Sequence, residues 1–273
     1  RSGKKIGIAN KECIISLGRN LSKIANKHLT EVVPLDSEHN SIYHLLKNNF
    51  GLFKSITITA TGGPFRKLQQ RDFNKITVKQ ALNHPIWKMG KKNSIDSATM
   101  ANKALEIIEA KYLFNLKNDQ ISAVIHPQAI VHAMINYKNG ITTALLNKPD
   151  MRIPISSLFF KFEAYSKYNN HLSIEEYSKL EFQRIDTVKF PIMKLGREVM
   201  KMGGLAPNAF NYLNEILVEQ FLHGSIKFMD IIYLNEMNLE KIFAKNRNIV
   251  NPKLQNIKDI NKWIDENIYL GNY

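Results

Sequence analysis

Two short polar segments contain the side chains best suited to chemistry in this sequence. The first, residues 36–40, reads DSEHN and closes an apolar run, and the second extends from Ser94 to Glu106. Together they offer carboxylates for a hard divalent cation, and Ser, Asn and Lys donors for a phosphate group. The two segments therefore predict a site that handles a phosphorylated sugar with Mg²⁺ or Mn²⁺.

The first segment has two explanations from its residues alone. In an extended chain Asp36 and Glu38 point to one side and Ser37 to the other, so that both acids can face one cation. Acidic residues ahead of an apolar helical pattern are also typical of a helix N-terminus, where the helix dipole favours negative charge. Both explanations stay open at this point.

The second segment is expected to open a helix. Asn102 and Glu106 are four residues apart and share one helix face, and Lys103 lies three residues before Glu106. Asp96, Ser97 and Thr99 are placed at the start of this helix, where free backbone N–H groups favour an anion. A capped amphipathic helix with one surface ion pair explains the same residues without a ligand.

Two further segments strengthen the case for a ligand site. The turn Thr61-Gly62-Gly63 lets the backbone approach a phosphate closely, although a purely structural turn has the same residues. Residues 83–92 are expected to form a loop with large apolar side chains, typical of a lid, in which His84 can donate to a phosphate. Packing of this loop onto the body is the commoner alternative. His126 and His132 are expected to be structural.

The chain around these segments predicts an α/β fold. Short β-branched runs at 6–9 and 31–35, with a helical period over 14–28, indicate a β-α-β unit with parallel strands. Further strands are predicted over 55–59, 121–125, 129–137 and, after a tight turn at 138–140, 142–146. Helical periods dominate after Phe190, which predicts a C-terminal helical bundle. Its buried faces are expected to contain Phe210, Leu213 and Leu217 in one helix and Ile257, Ile260 and Ile264 in another.

Composition excludes several classes of protein. The 273 residues are 44% hydrophobic, enough for a sizeable core, and no stretch approaches the ~18 apolar residues of a membrane span. Cys13 is the single cysteine, which fits a reducing compartment, and it is expected to be a small core residue. The net charge of +14 is spread along the chain. That pattern favours attraction of anionic substrates over nucleic-acid binding.

Seven sequence blocks, in order and spread over most of the chain, resemble one enzyme family. The blocks are ANKE at 9–12, PLDSEHN at 34–40, TATGGPFR at 59–66, HPIWKMG at 84–90, DSATMANK at 96–103, IHPQ at 125–128 and PDMRIPI at 149–155. The family is 1-deoxy-D-xylulose 5-phosphate reductoisomerase, an NADPH-dependent enzyme of the non-mevalonate isoprenoid pathway. The resemblance implies a retro-aldol/aldol isomerisation followed by hydride transfer, which gives 2-C-methyl-D-erythritol 4-phosphate.

The resemblance also implies roles for individual residues. The ligands of Mg²⁺ or Mn²⁺ would be Asp36, Glu38 and Glu106. The substrate would contact Lys11 and Ser37 near the metal, and Glu38 and Glu106 as well. Its phosphate end would be held by Thr61, His84, Ser97, Asn102 and Lys103. Catalytic roles would belong to Lys11, Glu38, His84 and Glu106. NADPH would contact Asn10, Glu12 and Gly90, and a flap over the site would contain Trp87 and Met89.

The same resemblance predicts how the chain is organised. The expected parts are the end of a Rossmann-like NADPH-binding domain at 1–35, an α/β catalytic domain with a mostly mixed sheet at 36–171, a linker at 172–197 and a C-terminal α-helical domain at 198–273. No glycine-rich turn precedes Asn10, so that most of the NADPH-binding domain is expected to be missing. Thr61 stands where the family usually has Ser, and its extra methyl group stiffens the side chain.

Expected partners follow from the same family. A phosphosugar substrate and a homodimer are expected, with no nucleic-acid or membrane partner. The location would be the cytoplasm of a bacterium or the plastid stroma of a plastid-bearing eukaryote. The alternative function is a chain that binds metal and phosphosugar without completing the reduction.

Overall fold

The computed structural model describes residues 3–47, 51–159, 171–245, 249–268 and 270. Its strands are β1 (Ile6–Ile8), β2 (Val32–Pro34), β3 (Phe53–Ala60), β4 (Ile121–Ile125), β5 (Val131–Tyr137), β6 (Thr142–Leu146) and β7 (Gln183–Arg184). The helices of the first part are α1 (Lys11–Leu17), α2 (Arg19–Lys27), α3 (Ser37–Lys47), α4 (Val78–Ala81), α5 (Lys91–Thr99) and α6 (Ala101–Leu113). The later helices are α7 (Arg152–Phe159), α8 (Ile174–Tyr177), α9 (Ile192–Met202), α10 (Ala206–Leu222), α11 (Asp230–Lys245) and α12 (Leu254–Asn267). The expected α/β class with a helical C-terminal part is confirmed.

A β-α-β unit begins the described chain, as the sequence predicts. β1 and β2 are parallel, with Ile6 opposite Val32. The helical stretch between them is two helices, because Gly18 between α1 and α2 has a φ of 52°. An added Cβ at Gly18 would also lie 3.3 Å from the ring of Tyr112. The break turns α1 into a short helix that starts at the buried Lys11.

A mixed five-stranded sheet forms the centre of the molecule. Its strand order is β6-β5-β3-β4-β7, in which β3 and β4 are parallel and the other neighbours are antiparallel. The second half of β3 is buried from Ile56 to Ala60. Its sequence there is a continuous run of small and β-branched residues, as expected for a strand that is covered on both faces. The turn that begins at Thr61 therefore directly follows a buried central strand.

α6 is buried on nearly all sides. Residues 103–110 have exposed fractions of no more than 3%. α9 crosses it closely at Gly196, where an added Cβ would lie 2.7 Å from the Cβ of Ala104. Such a helix brings any charged side chain that it carries into the protein interior, which applies to Lys103, Glu106 and Glu109.

The C-terminal helices α9–α12 share one hydrophobic core with α6 and the sheet. The two predicted helical faces are confirmed, because Phe210, Leu213, Leu217, Ile257, Ile260 and Ile264 are all buried. The stretch 172–197 contains α8, β7 and the start of α9, and β7 pairs with β4. The domain boundaries at 35, 171 and 197 stay predictions.

Two local expectations are wrong. Cys13 is exposed, because α1 turns Lys11, Ile14 and Ile15 toward the interior and leaves Cys13 on the outer side. The loop expected over 83–92 ends at Gly90, since α5 begins at the next residue. In the part of the chain that the structure describes, no helix has both the length and the apolar character needed to cross a bilayer.

Candidate metal and phosphate site

A pocket of about 340 Å³ lies where five elements meet. Its walls come from the start of α1, the β2–α3 junction, the turn after β3, the segment between α4 and α5, and the facing sides of α5 and α6. Every residue that the sequence predicts as a metal ligand, substrate contact or flap residue contributes to its lining. Gly90 does as well, but Asn10 and Glu12 do not.

The first polar segment forms the start of α3. Asp36 follows β2, and its carbonyl accepts the first helical hydrogen bond from the amide of Asn40, at 2.8 Å. Ser37 donates to Oε2 of Glu38 at 2.6 Å. The helix-start explanation is therefore correct, and the extended one is wrong. Asp36 and Glu38 still line one pocket, and each offers an oxygen atom to the same group of potential metal ligands.

The second segment is not the simple helix start that the sequence suggests. Met100 has a left-handed φ of 68° and separates α5 from α6. Asp96, Ser97 and Thr99 consequently lie in the last half of α5, and placing them at a helix N-terminus is wrong. The new start at Ala101 places Asn102 in the first turn of α6.

Two buried lysines neutralise the carboxylates of the pocket. The Lys11 ammonium donates to Oδ2 of Asp36 at 2.9 Å, and it lies 3.5 Å from Oε1 of Glu106. The Lys103 ammonium donates to Oε1 of Glu38 at 2.7 Å and also to Oε2 of Glu106. The pocket thus gathers three carboxylates and two ammonium groups, all largely withdrawn from water, where their electrostatic interactions are strong.

Two of these acids, Asp36 and Glu106, respond differently to burial. Burial alone would raise the pKa of the Asp36 carboxyl, but Lys11 and His39 hold that pKa well below its ordinary value. Burial, reinforced by the Glu38 carboxylate, raises the pKa of Glu106 to about 7. Glu106 is therefore the acid that gains most from an additional positive charge.

The donor set fits a hard divalent cation. Asp36, Glu38 and Glu106 each offer one carboxylate oxygen, and these atoms lie within 4.8 Å of one another. Oxygen ligands that retain access to solvent are what Mg²⁺ and Mn²⁺ prefer. A second group, Asp36 with His39 and Glu109, meets the same distance criterion. His39 and Glu109 lie outside the lining of the pocket, so that the first group is the candidate site.

The opposite end of the pocket presents hydrogen-bond donors. Nδ1 of His84 accepts from the amides of Ile86 and Trp87, at 3.2 and 2.8 Å, so that the proton of the neutral ring is on Nε2. Nε2 lies 3.1 Å from Oγ1 of Thr61, and burial lowers the pKa of His84. His84 is thus neutral, and its Nε2–H donates to the hydroxyl of Thr61 in the lining of the pocket.

The glycine turn after β3 lies directly against α5. Gly63 has a φ of 64°, and an added Cβ would lie 2.6 Å from the carbonyl oxygen of Ser97. Its amide donates to Oγ1 of Thr61 at 3.2 Å. Only glycine permits this contact, which brings Ser97 and Thr61 to the same end of the pocket.

The expected flap forms the outer wall. Trp87 and Met89 line the pocket and are half-buried, and the Trp87 ring lies 6.5 Å from the ring of His132. Gly90 ends the segment and accepts from the amide of Ser94 at 3.0 Å, which starts α5. The segment is therefore anchored at its end by a helix, while its large side chains cover the ligand space.

The residues expected to contact NADPH lie at the start of α1 and at the end of the flap. Asn10 caps α1 by accepting from the amide of Cys13 at 2.8 Å. Glu12 pairs with Lys92 at 3.1 Å. Gly90 is exposed and lines the pocket. Their roles toward a cofactor stay predictions.

Sequence reasoning assigned no role to His39 or Glu109, which form a second charged cluster behind the first. Nε2 of His39 donates to the carbonyl of Glu106 at 3.0 Å, and Nδ1 lies 3.4 Å from Oε2 of Glu109. His39 is fully buried, and Glu109 is 1% exposed. A signal for Glu109 was present in the sequence. It lies three residues after Glu106 and is flanked by aliphatic residues, which indicates a buried position.

Two family models match the chain. The model for the 1-deoxy-D-xylulose 5-phosphate reductoisomerase C-terminal domain matches residues 32–114, and that for the DXP reductoisomerase C-terminal domain matches residues 146–267. The first match includes every proposed metal ligand, and the second includes the C-terminal helices.

Curated relatives carry the same name. The 1-deoxy-D-xylulose 5-phosphate reductoisomerase of Desulforamulus reducens is 39% identical over 267 residues, which are 97% of this chain and 68% of the relative. That of Chloroherpeton thalassium is 45% identical over 233 residues, 85% of this chain and 60% of the relative. The chain thus spans roughly two thirds of the length of these relatives.

Solved structures agree with these matches. The Zymomonas mobilis 1-deoxy-D-xylulose 5-phosphate reductoisomerase in complex with NADPH is 33% identical, with a TM-score of 0.83 over 96% of this chain and 67% of that one. A DOX-P reductoisomerase in complex with NADPH, fosmidomycin and magnesium is 34% identical, with a TM-score of 0.84 over 97% of this chain and 69% of that one.

Proposed function

The chain belongs to the 1-deoxy-D-xylulose 5-phosphate reductoisomerase family, and from this premise we propose that it binds a divalent cation and the phosphosugar in the NADPH-dependent formation of 2-C-methyl-D-erythritol 4-phosphate. The observation that carries the proposal is the convergence of Asp36, Glu38 and Glu106 with Lys11 and Lys103 in one pocket. The opposite end of that pocket presents neutral donors suited to a phosphate.

Asp36, Glu38 and Glu106 would hold Mg²⁺ or Mn²⁺. When bound, the cation would act as a Lewis acid on neighbouring oxygens of the sugar and stabilise negative charge that develops on them. Its two positive charges also offset the desolvation that raises the pKa of Glu106. A relative binds magnesium, which supports this assignment.

The lysines are proposed to hold the substrate oxygens nearest the carboxylates. Lys11 contacts Asp36 and Asn102, and Lys103 contacts Glu38 and Glu106, so that each ammonium is paired with an acid and lines the pocket. A buried ammonium directed at a developing oxyanion stabilises it strongly, because little water competes. These groups would orient the sugar and stabilise the negative charge on its oxygens as the carbon skeleton rearranges.

The phosphate is proposed to bind at the opposite end. His84 offers Nε2–H, and the hydroxyls of Thr61 and Ser97 lie at the same end of the pocket. Asn102 lies in the first turn of α6 beside Lys11 and Glu106, so that its amide would reach the substrate from the carboxylate end. Neutral donors of this kind fix a phosphate in place, while Trp87 and Met89 would keep water from the reacting carbons.

The reductive step requires NADPH, which two structural relatives contain. Asn10, Glu12 and Gly90 are proposed to contact it. Because the chain spans about two thirds of its relatives, a second candidate function is binding of metal and phosphosugar without reduction.

One experiment separates the two candidates. The purified chain is mixed with Mn²⁺, NADPH and 1-deoxy-D-xylulose 5-phosphate while the absorbance of NADPH is followed, and calorimetry with fosmidomycin is run with and without Mn²⁺. NADPH oxidation supports the full reaction. Binding of fosmidomycin that needs Mn²⁺, without NADPH oxidation, supports the binding function alone. Absence of any Mn²⁺-dependent binding would contradict both.

Assembly and location complete the proposal. We propose a homodimer, which light scattering of the purified chain would detect. Cytoplasmic location in a bacterium, or the plastid stroma in a plastid-bearing eukaryote, follows from the family. The basic surface is proposed to attract anionic substrates, so that any DNA binding should be weak, independent of sequence and lost at moderate salt.

A further inference from the structure

A chain of polar contacts crosses from α10 to α1 behind the pocket. Nδ2 of Asn214 in α10 donates to Oδ1 of Asp96 in α5, at 2.7 Å. The Lys92 ammonium donates to Oδ2 of the same carboxylate at 2.8 Å and to Oε1 of Glu12 in α1 at 3.1 Å. Three helices are therefore joined through one carboxylate and one ammonium. None of these four residues lines the pocket.

The two ends of this chain differ in burial. Asn214 is fully buried and Asp96 is 1% exposed, whereas the side chains of Lys92 and Glu12 are each 25% exposed. Both oxygens of Asp96 accept a hydrogen bond, so that its orientation is fixed from two sides. Charge-assisted hydrogen bonds at a buried carboxylate are strong, so that Asp96 holds the Lys92 ammonium in place. The same ammonium makes the contact with α1.

Lys92 stays charged while it makes these contacts. Burial alone would lower the pKa of its ammonium, but Asp96 and Glu12 outweigh burial and raise that pKa. Burial also opposes ionisation of Glu12, yet Lys92 keeps the pKa of that carboxyl below its ordinary value. The bridge is thus an ion pair on both sides at neutral pH.

The residues next to the bridge are those proposed to act on the substrate. Glu12 directly follows Lys11, whose ammonium contacts Asp36 and Asn102 in the pocket. On the other helix, Ser97 directly follows Asp96 and lines the phosphate end. α1 has only seven residues, so that its first turn depends on contacts such as this one for its position.

We propose that Lys92 is a positioning residue of the reaction: bridged to Glu12 and anchored through Asp96 on Asn214, it fixes Lys11 at the carboxylate end relative to Ser97 at the phosphate end. The inference rests on the proposed function, because it concerns how the same pocket keeps its two ends at the spacing of one substrate. Small displacements of such groups slow a reaction strongly while they change binding much less.

Three variants test this assignment. K92M removes the ammonium, and K92R keeps a cation whose guanidinium can bridge two carboxylates. K194M is the matched control, because Lys194 pairs with Glu198 at the same four-residue helical spacing, at 4.0 Å on the exposed surface. All three are made in the complete chain.

The first measurement needs no catalysis. Hydrogen exchange is followed at the amide of Cys13, which donates to Oδ1 of Asn10 in the first turn of α1. We expect about tenfold faster exchange in K92M, with the last turn of α1 unchanged, because only the start of the helix loses its tie. K92R and K194M should exchange as the unmodified chain does. Equal exchange in K92M and K194M would overturn the proposal.

The second measurement is kinetic. We expect kcat of K92M to fall on the order of 10-fold to 100-fold, with KM for the phosphosugar within about threefold and partial recovery in K92R. A rise in KM for NADPH alone, with kcat unchanged, would overturn the positioning role and make Lys92 a cofactor contact. If the unmodified chain turns nothing over, the full reaction fails for this chain, while exchange at Cys13 still decides whether Lys92 positions α1.

Discussion

α6 carries two acids three residues apart that belong to different charged clusters. Glu106 faces the open cluster, in which Lys11 and Lys103 neutralise three carboxylates at the wall of a pocket. Glu109 faces the sealed cluster, where its main partner is His39. The open cluster retains a solvent side through which a ligand can enter. In the sealed cluster His39 and Glu109 lie 3.4 Å apart, and the other acid near His39 is Asp36, at 3.8 Å.

This difference separates binding from stability. Carboxylates whose ammonium partners line the same pocket can exchange those partners for a cation and a substrate. A sealed histidine–carboxylate pair has no solvent side through which a ligand can replace either partner. It fixes the positions of groups in the open cluster instead. His39 does so directly, since one nitrogen holds the carbonyl of Glu106 and the other lies 3.8 Å from Oδ1 of Asp36.

The largest effect is expected from E106Q in the open cluster. Removal of one charged ligand should weaken Mn²⁺ binding by more than about 100-fold and abolish any turnover. The free energy of unfolding without metal should stay the same or rise, because the ionised carboxyl is disfavoured by burial. Calorimetry with Mn²⁺ and urea denaturation in EDTA measure the two quantities. Unchanged Mn²⁺ affinity would remove Glu106 from the metal site.

The sealed cluster should respond in the opposite way. H39L leaves the Glu109 carboxylate buried without its cation and should lower the free energy of unfolding by about 3–5 kcal/mol in urea denaturation near pH 8. E109L should have a similar cost for the same reason. The double variant should cost much less than the sum, because no unpaired charge remains. Strict additivity of the two losses would contradict the pairing.

A pH dependence of stability follows from both clusters in EDTA. Burial raises the pKa of Glu106 and of Glu109 to about 7, from an ordinary value of 4.5. For His39, burial alone would lower the pKa, but Glu109 and Asp36 outweigh it and raise the pKa from 6.5 to about 9. Within these two clusters the folded chain therefore binds more protons than the unfolded chain between about pH 4.5 and 9. Burial lowers the pKa of four other histidines (His44, His84, His126 and His132), which has the opposite effect on stability below about pH 6.5. The free energy of unfolding should therefore fall as the pH rises from about 7 to about 9.

The contribution of His39 to this fall is roughly 3 kcal/mol, and it lies between about pH 6.5 and 9. Urea denaturation at several pH values measures it, and H39L should flatten this upper part of the curve. Saturating Mn²⁺ should remove the part due to Glu106, since a bound cation requires the deprotonated carboxyl. A stability that rises between about pH 7 and 9 in EDTA would contradict the pKa direction assigned to His39.

The smallest effect is expected at the phosphate end of the pocket, away from the open cluster. T61S keeps the hydroxyl that accepts from Gly63 and contacts His84, and it removes only a methyl group. Affinity for the phosphosugar should change by less than about threefold, as measured by calorimetry with fosmidomycin. T61V is the matched comparison, because it keeps the shape of threonine and loses the hydroxyl. A similar loss in both variants would show that shape, rather than hydrogen bonding, matters at this position.

The sequence alone identified the residue types of the site and most strands of the fold. Alternation and β-branched runs locate β3 to β6. The seven blocks place Asp36, Glu38, the two lysines and the neutral donors in order along the chain. It did not place Asp96 correctly, because the left-handed backbone of Met100 ends one helix and begins another where the local pattern is continuous. The exposure of Cys13 was missed for a similar reason, since the direction of a short helix depends on what packs against it.

The chemistry of this protein is therefore determined by its sequence, and the assignment of that chemistry to particular atoms is decided by its tertiary structure. Side-chain type fixes which groups can hold a cation, donate to a phosphate or carry a charge. Only packing decides that Glu106 faces a pocket and Glu109 a sealed histidine, or that Asp96 holds Lys92 instead of a ligand. The physical reason is that burial and the nearest opposite charge are set by elements distant in sequence, which no local pattern records.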